Sequence, residues 1–401
     1  MTVGLAADAI AAAEEDHASV VALARELVRI PSRAGDDPYG PVLDCMSGWL
    51  TSRGLTPRRL AGPGGETVAL VCEVPGGRPG PRYVLDACLD TAPFGDEAAW
   101  AYPPTSGEVS GGWLHGRGAS DSKTGASIFA HVAARHRRIA DRMAGSLVLL
   151  FDVDEHTGVF GGAKAYFEGP GGPGRVDGVM IGYPGIDHVV AGGRGVLRAR
   201  LRVHGVASHS GGRAETPNAV AKAAVLVSEL SGTSLPGSPG PEFPLPARLT
   251  VTQITGGVGY SAVPDLCTFN VDVRLTPAFD DQAAVELLRA RAADVDGAWP
   301  GTRPTEVEII TCWPAYRLPD DCVLKSALLT AARQAGLSPT VKIAGPSNIG
   351  NYLAGLGIPA TAGFGVEYEG LHGTDERIRI GSIPAVQAAY QQACLALLTQ
   401  P

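Results

Sequence analysis

What this chain lacks removes several classes of function. No run of apolar residues approaches the roughly 20 that a membrane-spanning helix needs. Positive charge is in deficit: 33 Lys and Arg against 41 Asp and Glu leave a formal net charge of −8. Neither nucleic acid nor an anionic membrane surface is therefore an expected partner. The seven cysteines, Cys45, Cys72, Cys88, Cys267, Cys312, Cys322 and Cys394, are scattered and never spaced Cys-x-x-Cys. That argues against both a disulfide framework and a zinc ribbon, and it points to a reducing cytoplasm. Met1–Ala18 carries acidic residues and lacks the basic start and apolar core of a secretion signal. There is no internal repeat and no low-complexity tail.

What is present is a globular composition, 45% hydrophobic and 18% charged, in 401 residues. That length exceeds what one hydrophobic core usually supports, so two domains are expected. Helical periodicity marks Ser19–Ile30, Pro41–Arg53 and Ala126–Arg138; β-like runs mark Thr67–Val74, Arg82–Ala87, Ser146–Val153 and Gly178–Ile181. Short apolar strands alternating with helices predict an α/β layer on a mostly parallel central sheet. The texture changes at Val196–His204, where apolar and charged residues alternate, as in a sheet with one wet face. From there the order is β-α-β-β-α-β through Glu306–Thr311, a ferredoxin-like α+β unit inserted into the first domain. The expected boundaries are 1–189 with 313–401 for the α/β domain, and 190–312 for the insert.

The chemistry gathers around Asp121, in the small-residue turn Gly116-Arg-Gly-Ala-Ser-Asp-Ser-Lys-Thr-Gly125. An Asp in a Gly-rich turn is ordinarily a turn residue or a helix cap. Three other clusters answer to it: Cys88-Leu-Asp90 after one strand, Asp154-Glu-His156 after another, and His372 in Gly370-Leu-His-Gly-Thr-Asp-Glu376. Active sites of α/β sheets form at the carboxyl ends of strands. Thiolate, carboxylate and imidazole are also the groups that bind zinc.

Together with Ile30-Pro31-Ser32, His115-Gly-Arg-Gly118, His209 and Asn218 within Gly205–Asn218, Val263-Pro264-Asp265, Asp272-Val-Arg274 and Gly357-Ile-Pro359, these clusters give the chain a clear likeness. It resembles the co-catalytic metal aminoacylase/carboxypeptidase superfamily, which includes acetylornithine deacetylase, succinyl-diaminopimelate desuccinylase, glutamate carboxypeptidase and the aminoacylases. The resemblance implies a catalytic α/β domain, an inserted lid that also makes a homodimer, and a small carboxylate-bearing substrate. It implies two metal ions bridged by the residue matching Asp121. Glu155 matches the general base, Asp90 the acid that orients a ligand, and His209 a histidine that stabilises the oxyanion, in cis or across the dimer. Arg274 and Asn218 match residues that hold a substrate carboxylate. Ser347 and Asn348 lie in the turn Gly345–Gly350, where related deacetylases contact substrate.

The ligand set departs from that pattern. Cys88 stands where the first His is expected, His156 where a Glu belongs, and Tyr183 where the remaining carboxylate belongs. One metal position would be Asp121, His156 and His372, a sound zinc set. The other would be Cys88, Asp121 and Tyr183; a phenol is a poor ligand near neutral pH, and Asp187 or His188 would have to compensate. The expected cofactor is accordingly one zinc, with cobalt or manganese as substitutes and a second ion weak or absent. Three functions stay open: a zinc amidohydrolase acting on a small N-acyl amino acid or peptide-like substrate; the same scaffold recruited to acyl transfer, amide formation or ring closure, with Cys88 as nucleophile; and a metal-poor binder of small molecules.

Overall fold

The computed structural model describes residues 2–170, 172–213 and 215–399, with side chains of the first helix from Asp8 onward. They form two compact units. One is Met1–Ala191 with Leu318–Lys342 and Gly357–Pro401; the other is Gly192–Arg317 with Ile343–Leu356. No helix among the described residues is long and apolar enough to cross a membrane.

The first unit is built on six strands in the order Arg58–Ala61, Thr67–Pro75, Ala144–Asp152, Arg78–Cys88, Gly178–Ile181 and Ala360–Thr361. The last four run parallel, while Thr67–Pro75 pairs antiparallel both with Ala144–Asp152 and with Arg58–Ala61, so the sheet is mixed. Successive side chains of a strand point to opposite faces. Leu85, Ala87, Leu147, Leu149 and Phe151 enter a core with Leu23, Leu27, Leu43, Phe129, Leu328 and Tyr390 from the helices. Each large side chain buried there contributes roughly 1.5–3 kcal/mol. The alternate positions Asp86, Cys88 and Asp152 take the other face. The first helix, legible only from Ser19, runs over Thr2–Arg29.

A smaller antiparallel sheet assembles the loops of the site. Its order is Tyr368–Glu369, Arg377–Arg379, Trp113–His115 and Glu108–Ser110. Arg377 faces His115 in register, which sets Glu376 beside the turn leaving His115, and Gly116 N–H donates to the Glu376 carbonyl at 2.9 Å. Two glycines are obligatory in that turn. Gly116 (φ 141°) has no room for a Cβ between Val28 and the Pro104 carbonyl, and at Gly118 (φ 83°) a Cβ would lie 2.6 Å from the Thr91 methyl.

In the second unit the strands Arg248–Gly256, Leu266–Leu275, Gly195–His204 and Glu306–Trp313 form an antiparallel sheet in that order. The helices Ala219–Gly232 and Asp281–Gly297 pack on one face through Leu226, Leu230, Leu288 and Val295. This is the ferredoxin-like arrangement. Ile343–Leu356, read from sequence with the α/β domain, clusters instead with this unit. Its Asn351 donates from Nδ2 to the carbonyls of Gly193 (3.4 Å), Arg194 (3.1 Å) and Pro314 (2.9 Å).

Candidate active site

Strand register explains why the scattered clusters meet. Cys88, the last residue of its strand, faces Asp152 across a parallel pair, so the turn Asp154–His156 emerges beside it. The neighbouring strand pairs Asp86 with Ile181 and delivers Tyr183 two residues later. Asp121 comes from the turn before the helix Thr124–Arg137, and His372 from the loop of the small sheet, at positive φ (56°).

Asp121 is the hub. Its Oδ2 lies 2.9 Å from His372 Nε2 and 3.6 Å from His156 Nε2. Its Oδ1 turns the other way, 3.8 Å from Cys88 Sγ. Asp90, fully buried, accepts from the backbone N–H groups of Glu155 (3.2 Å) and His156 (2.9 Å), and lies 3.3 Å from His156 Nδ1. With its Nδ1 proton on Asp90, His156 would offer its Nε2 lone pair to a cation shared with Asp121. Burial works against charge in both groups, but the pairing wins: Asp121 is held well below the usual carboxylate range and His156 is raised. Glu155 is pushed up to about 7, by burial first and then by the Asp121 carboxylate.

Two triplets could hold an ion, Asp121–His156–His372 and Cys88–Asp90–His156, with ligand atoms within 4.8 Å of one another. The first fits a metal. His156 Nε2 is buried without a hydrogen-bond partner and faces a carboxylate oxygen, an arrangement that a shared cation stabilises. The 2.9 and 3.6 Å separations bracket the ~3.3 Å edge of a tetrahedron with ligands about 2.0 Å from zinc. In the second triplet, Asp90 is already committed to the Glu155–His156 turn. The Tyr183 hydroxyl donates to Glu155 Oε1 at 2.6 Å. Cys88 Sγ has instead Ser122 Oγ at 3.2 Å. Asp187 and His188 belong to neither triplet; with Lys342 and Glu367 they line a separate cavity of about 340 Å³.

The residues that hold this geometry were not singled out from sequence. Arg117 Nη1 pairs with Glu376 Oε2 at 2.5 Å, both side chains almost wholly buried, and Arg117 Nη2 donates to the carbonyls of His372 (3.2 Å) and Gly373 (3.0 Å). Glu376 Oε1 accepts from Ser120 N–H (2.9 Å) and Oγ–H (2.7 Å). One ion pair thus ties the Asp121 turn to the His372 loop. Buried Lys123 donates to the carbonyls of Leu27 (2.9 Å) and Ile30 (2.8 Å), anchoring the turn on the end of the first helix. A Glu four residues after a loop His is a faint signal, and its partner lies 259 residues away.

Under Cys88, Asp86 and Asp152 are fully buried and neither carboxyl has a hydrogen-bond partner. Burial pushes Asp86 up to about 8 and Asp152 well above its ordinary value. A raised carboxyl pKa favours the fold below the unfolded-state value near ~3.9, and that benefit is lost as pH rises through about 8. Asp86→Asn, which cannot ionise, is therefore expected to match wild type near pH 4 and to exceed it in stability by several kcal/mol at pH 8. Urea unfolding at the two pH values checks this; equal stability of the two proteins at pH 8 would refute it.

The remaining sequence candidates lie in the second unit. His209 is exposed on the short strand Ser208–His209, its Nδ1 accepting from Gly211 N–H at 3.1 Å. Asn218 caps the helix Ala219–Gly232 by accepting from Val220 and Ala221. Asn348 caps Ile349–Gly355, and Ser347 donates to the Arg194 carbonyl at 2.7 Å. Arg274 pairs with Asp272 at 2.7 Å and stands directly opposite Arg248 across the strands. Arg194 has its pKa lowered, by burial first and then by the nearby charges of Arg274 and Arg248.

Comparison with known proteins identifies the family. The profile of peptidase family M20/M25/M40 matches residues 84–396, from the Cys88 strand to the last helix. The chain belongs to that family. Among M20 relatives, a succinyl-diaminopimelate desuccinylase of Rhodospirillum centenum is 26% identical over 380 residues, covering 92% of this chain and 95% of that protein. One of Cereibacter sphaeroides is 28% identical over 384 residues, with 92% and 96% covered. An M20 metallo-carboxypeptidase from Sulfolobus solfataricus shares the fold with a TM-score of 0.75 at 16% identity, over 94% of this chain and 98% of that one. A dinuclear metal-binding M20 peptidase from Bacillus subtilis superposes at 0.73, again at 16% identity, over 96% and 99%. The M20 fold thus accounts for both layers, the α/β unit and the ferredoxin-like lid.

Proposed function

We propose that the protein is a metal-dependent amidohydrolase that cleaves a small N-acyl amino acid or peptide-like acid. The observation that carries this reading is the buried, unpartnered Nε2 of His156, aimed at Asp121 Oδ2 beside His372, with Glu155 next in the chain. Asp121, His156 and His372 would hold one zinc, with cobalt or manganese as substitutes; when bound, such an ion polarises an amide carbonyl and acidifies a water. Glu155 would take a proton from the attacking water and return it to the leaving amine. Asp90 fixes the tautomer and position of His156. His209 is assigned the developing oxyanion, and the lid is assigned the dimer contact. The crowding of Arg194, Arg248 and Arg274 favours an anionic substrate, and the desuccinylase relatives put N-succinyl amino acids first among the candidates. A Cys88 nucleophile is disfavoured: burial, and then the Asp121 carboxylate, push its thiol well up, whereas a nucleophile needs the thiolate.

The test is a panel of N-succinyl, N-acetyl and dipeptide substrates offered to protein stripped with chelator and then reloaded with zinc. Hydrolysis of at least one member, lost on stripping and restored by zinc, is expected. Turnover that survives complete removal of metal would overturn the reading.

A further inference from the structure

Tyr183, which stands in sequence where the resemblance expects a ligand for a second ion, carries a hydrogen-bonded phenol. Tyr183 Oη donates to Glu155 Oε1 at 2.6 Å, while Glu155 Oε2 lies 3.5 Å from His156 Nδ1. The two oxygens of Glu155 are therefore unequal. One is bound by a short hydrogen bond, and the other has only a long contact with the imidazole of a candidate ligand. The backbone carrying Tyr183 is tightly fitted. Gly182 N–H donates to the Asp86 carbonyl at 2.8 Å, and a Cβ at Gly365 would come within 2.5 Å of the Tyr183 carbonyl. On the Oδ1 side of Asp121, the neighbours are then Cys88 and, beyond it, Ser122.

We propose that Tyr183 is a positioning residue: its phenol holds Glu155 Oε1, leaves Oε2 as the oxygen that moves the proton, and replaces the ligand that a second ion would require. This rests on the hydrolase reading for the proton step, but not for the metal count or the placement of Glu155. A metal-dependent hydrolase built this way would work with one ion. The phenol keeps its proton and acts only as a donor, so nothing is consumed in a turnover.

Tyr183→Phe removes the donor and little else, and Tyr183→Glu offers a carboxylate at the same point. Three readouts decide the matter: metal per chain by elemental analysis, kcat and KM on a hydrolysed panel substrate, and the crystal structure of Tyr183→Phe. We expect wild type and Tyr183→Phe to carry the same single ion and Tyr183→Glu to take up a second. In Tyr183→Phe we expect kcat to fall about tenfold or more, the loss of one hydrogen bond to a charged group, with KM little changed and the Glu155 side chain displaced or split between rotamers. Loss of metal from Tyr183→Phe would make Tyr183 a ligand and overturn the proposal. So would two ions in wild type, or a Glu155 unmoved by the substitution. If no protein turns over any substrate, the hydrolase reading fails alone, and metal count and rotamer still decide the role of Tyr183.

Discussion

Glu155→Gln is expected to lower amide hydrolysis by roughly 10²–10⁴-fold, the range that one placed general base supplies, while the protein keeps its metal. The substitution preserves shape and removes the proton acceptor. Metal content should survive because the fitting triplet is Asp121, His156 and His372, none of which is altered. The position of Glu155 supports the role. Burial and the Asp121 carboxylate hold its pKa at about 7, where a base is both substantially ionised and strong enough to take a proton near neutral pH. Steady-state kinetics on the reloaded protein read the effect. Unchanged kcat in Glu155→Gln would transfer the base role to another group.

Glu376→Gln is expected to destabilise the fold by about 3–5 kcal/mol and to weaken metal binding, although Glu376 belongs to neither ligand triplet. Removing one partner of a buried ion pair leaves the other charge uncompensated. Here Arg117 is 2% exposed and Glu376 not at all. The same carboxylate also accepts from Ser120, next to Asp121, and Arg117 reaches the carbonyl of His372. Loosening the pair therefore lets the Asp121 carboxylate and the His372 imidazole drift apart. The exposed pair of Arg377 with Glu369 serves as a control, since a surface ion pair contributes about 0–1 kcal/mol. Denaturant unfolding and chelator competition should show a large joint effect for Glu376→Gln and a negligible one for Glu369→Gln. Equal, small effects in both would refute the clamp.

The legible parts of this site were those with local causes. Cys88 and Glu155 follow strands that an apolar run reveals, and Asp121 and His372 sit in glycine turns, while the roles assigned to them come from the resemblance. The mixed sheet followed from strand order that no local pattern encodes: Thr67–Pro75 and Arg78–Cys88 read alike, yet one runs antiparallel to Ala144–Asp152 and the other parallel. The hydrogen bond of Tyr183 was not legible, because the acceptor of its hydroxyl, Glu155, sits on another turn. Arg117 and Glu376 were hidden for the same reason, being joined by sheet register across most of the chain. Asn351 holds its segment to the second unit through three carbonyls that sequence spacing does not bring together.

The proposed chemistry depends on Asp121, His156 and His372 forming a site for one ion. Its most direct test is elemental analysis of the zinc-reloaded protein beside His372→Ala, with folding verified by circular dichroism. One ion per chain is expected in wild type, and loss of that ion in the folded variant. A wild-type protein that binds none, or a His372→Ala protein that retains the full complement, would contradict it.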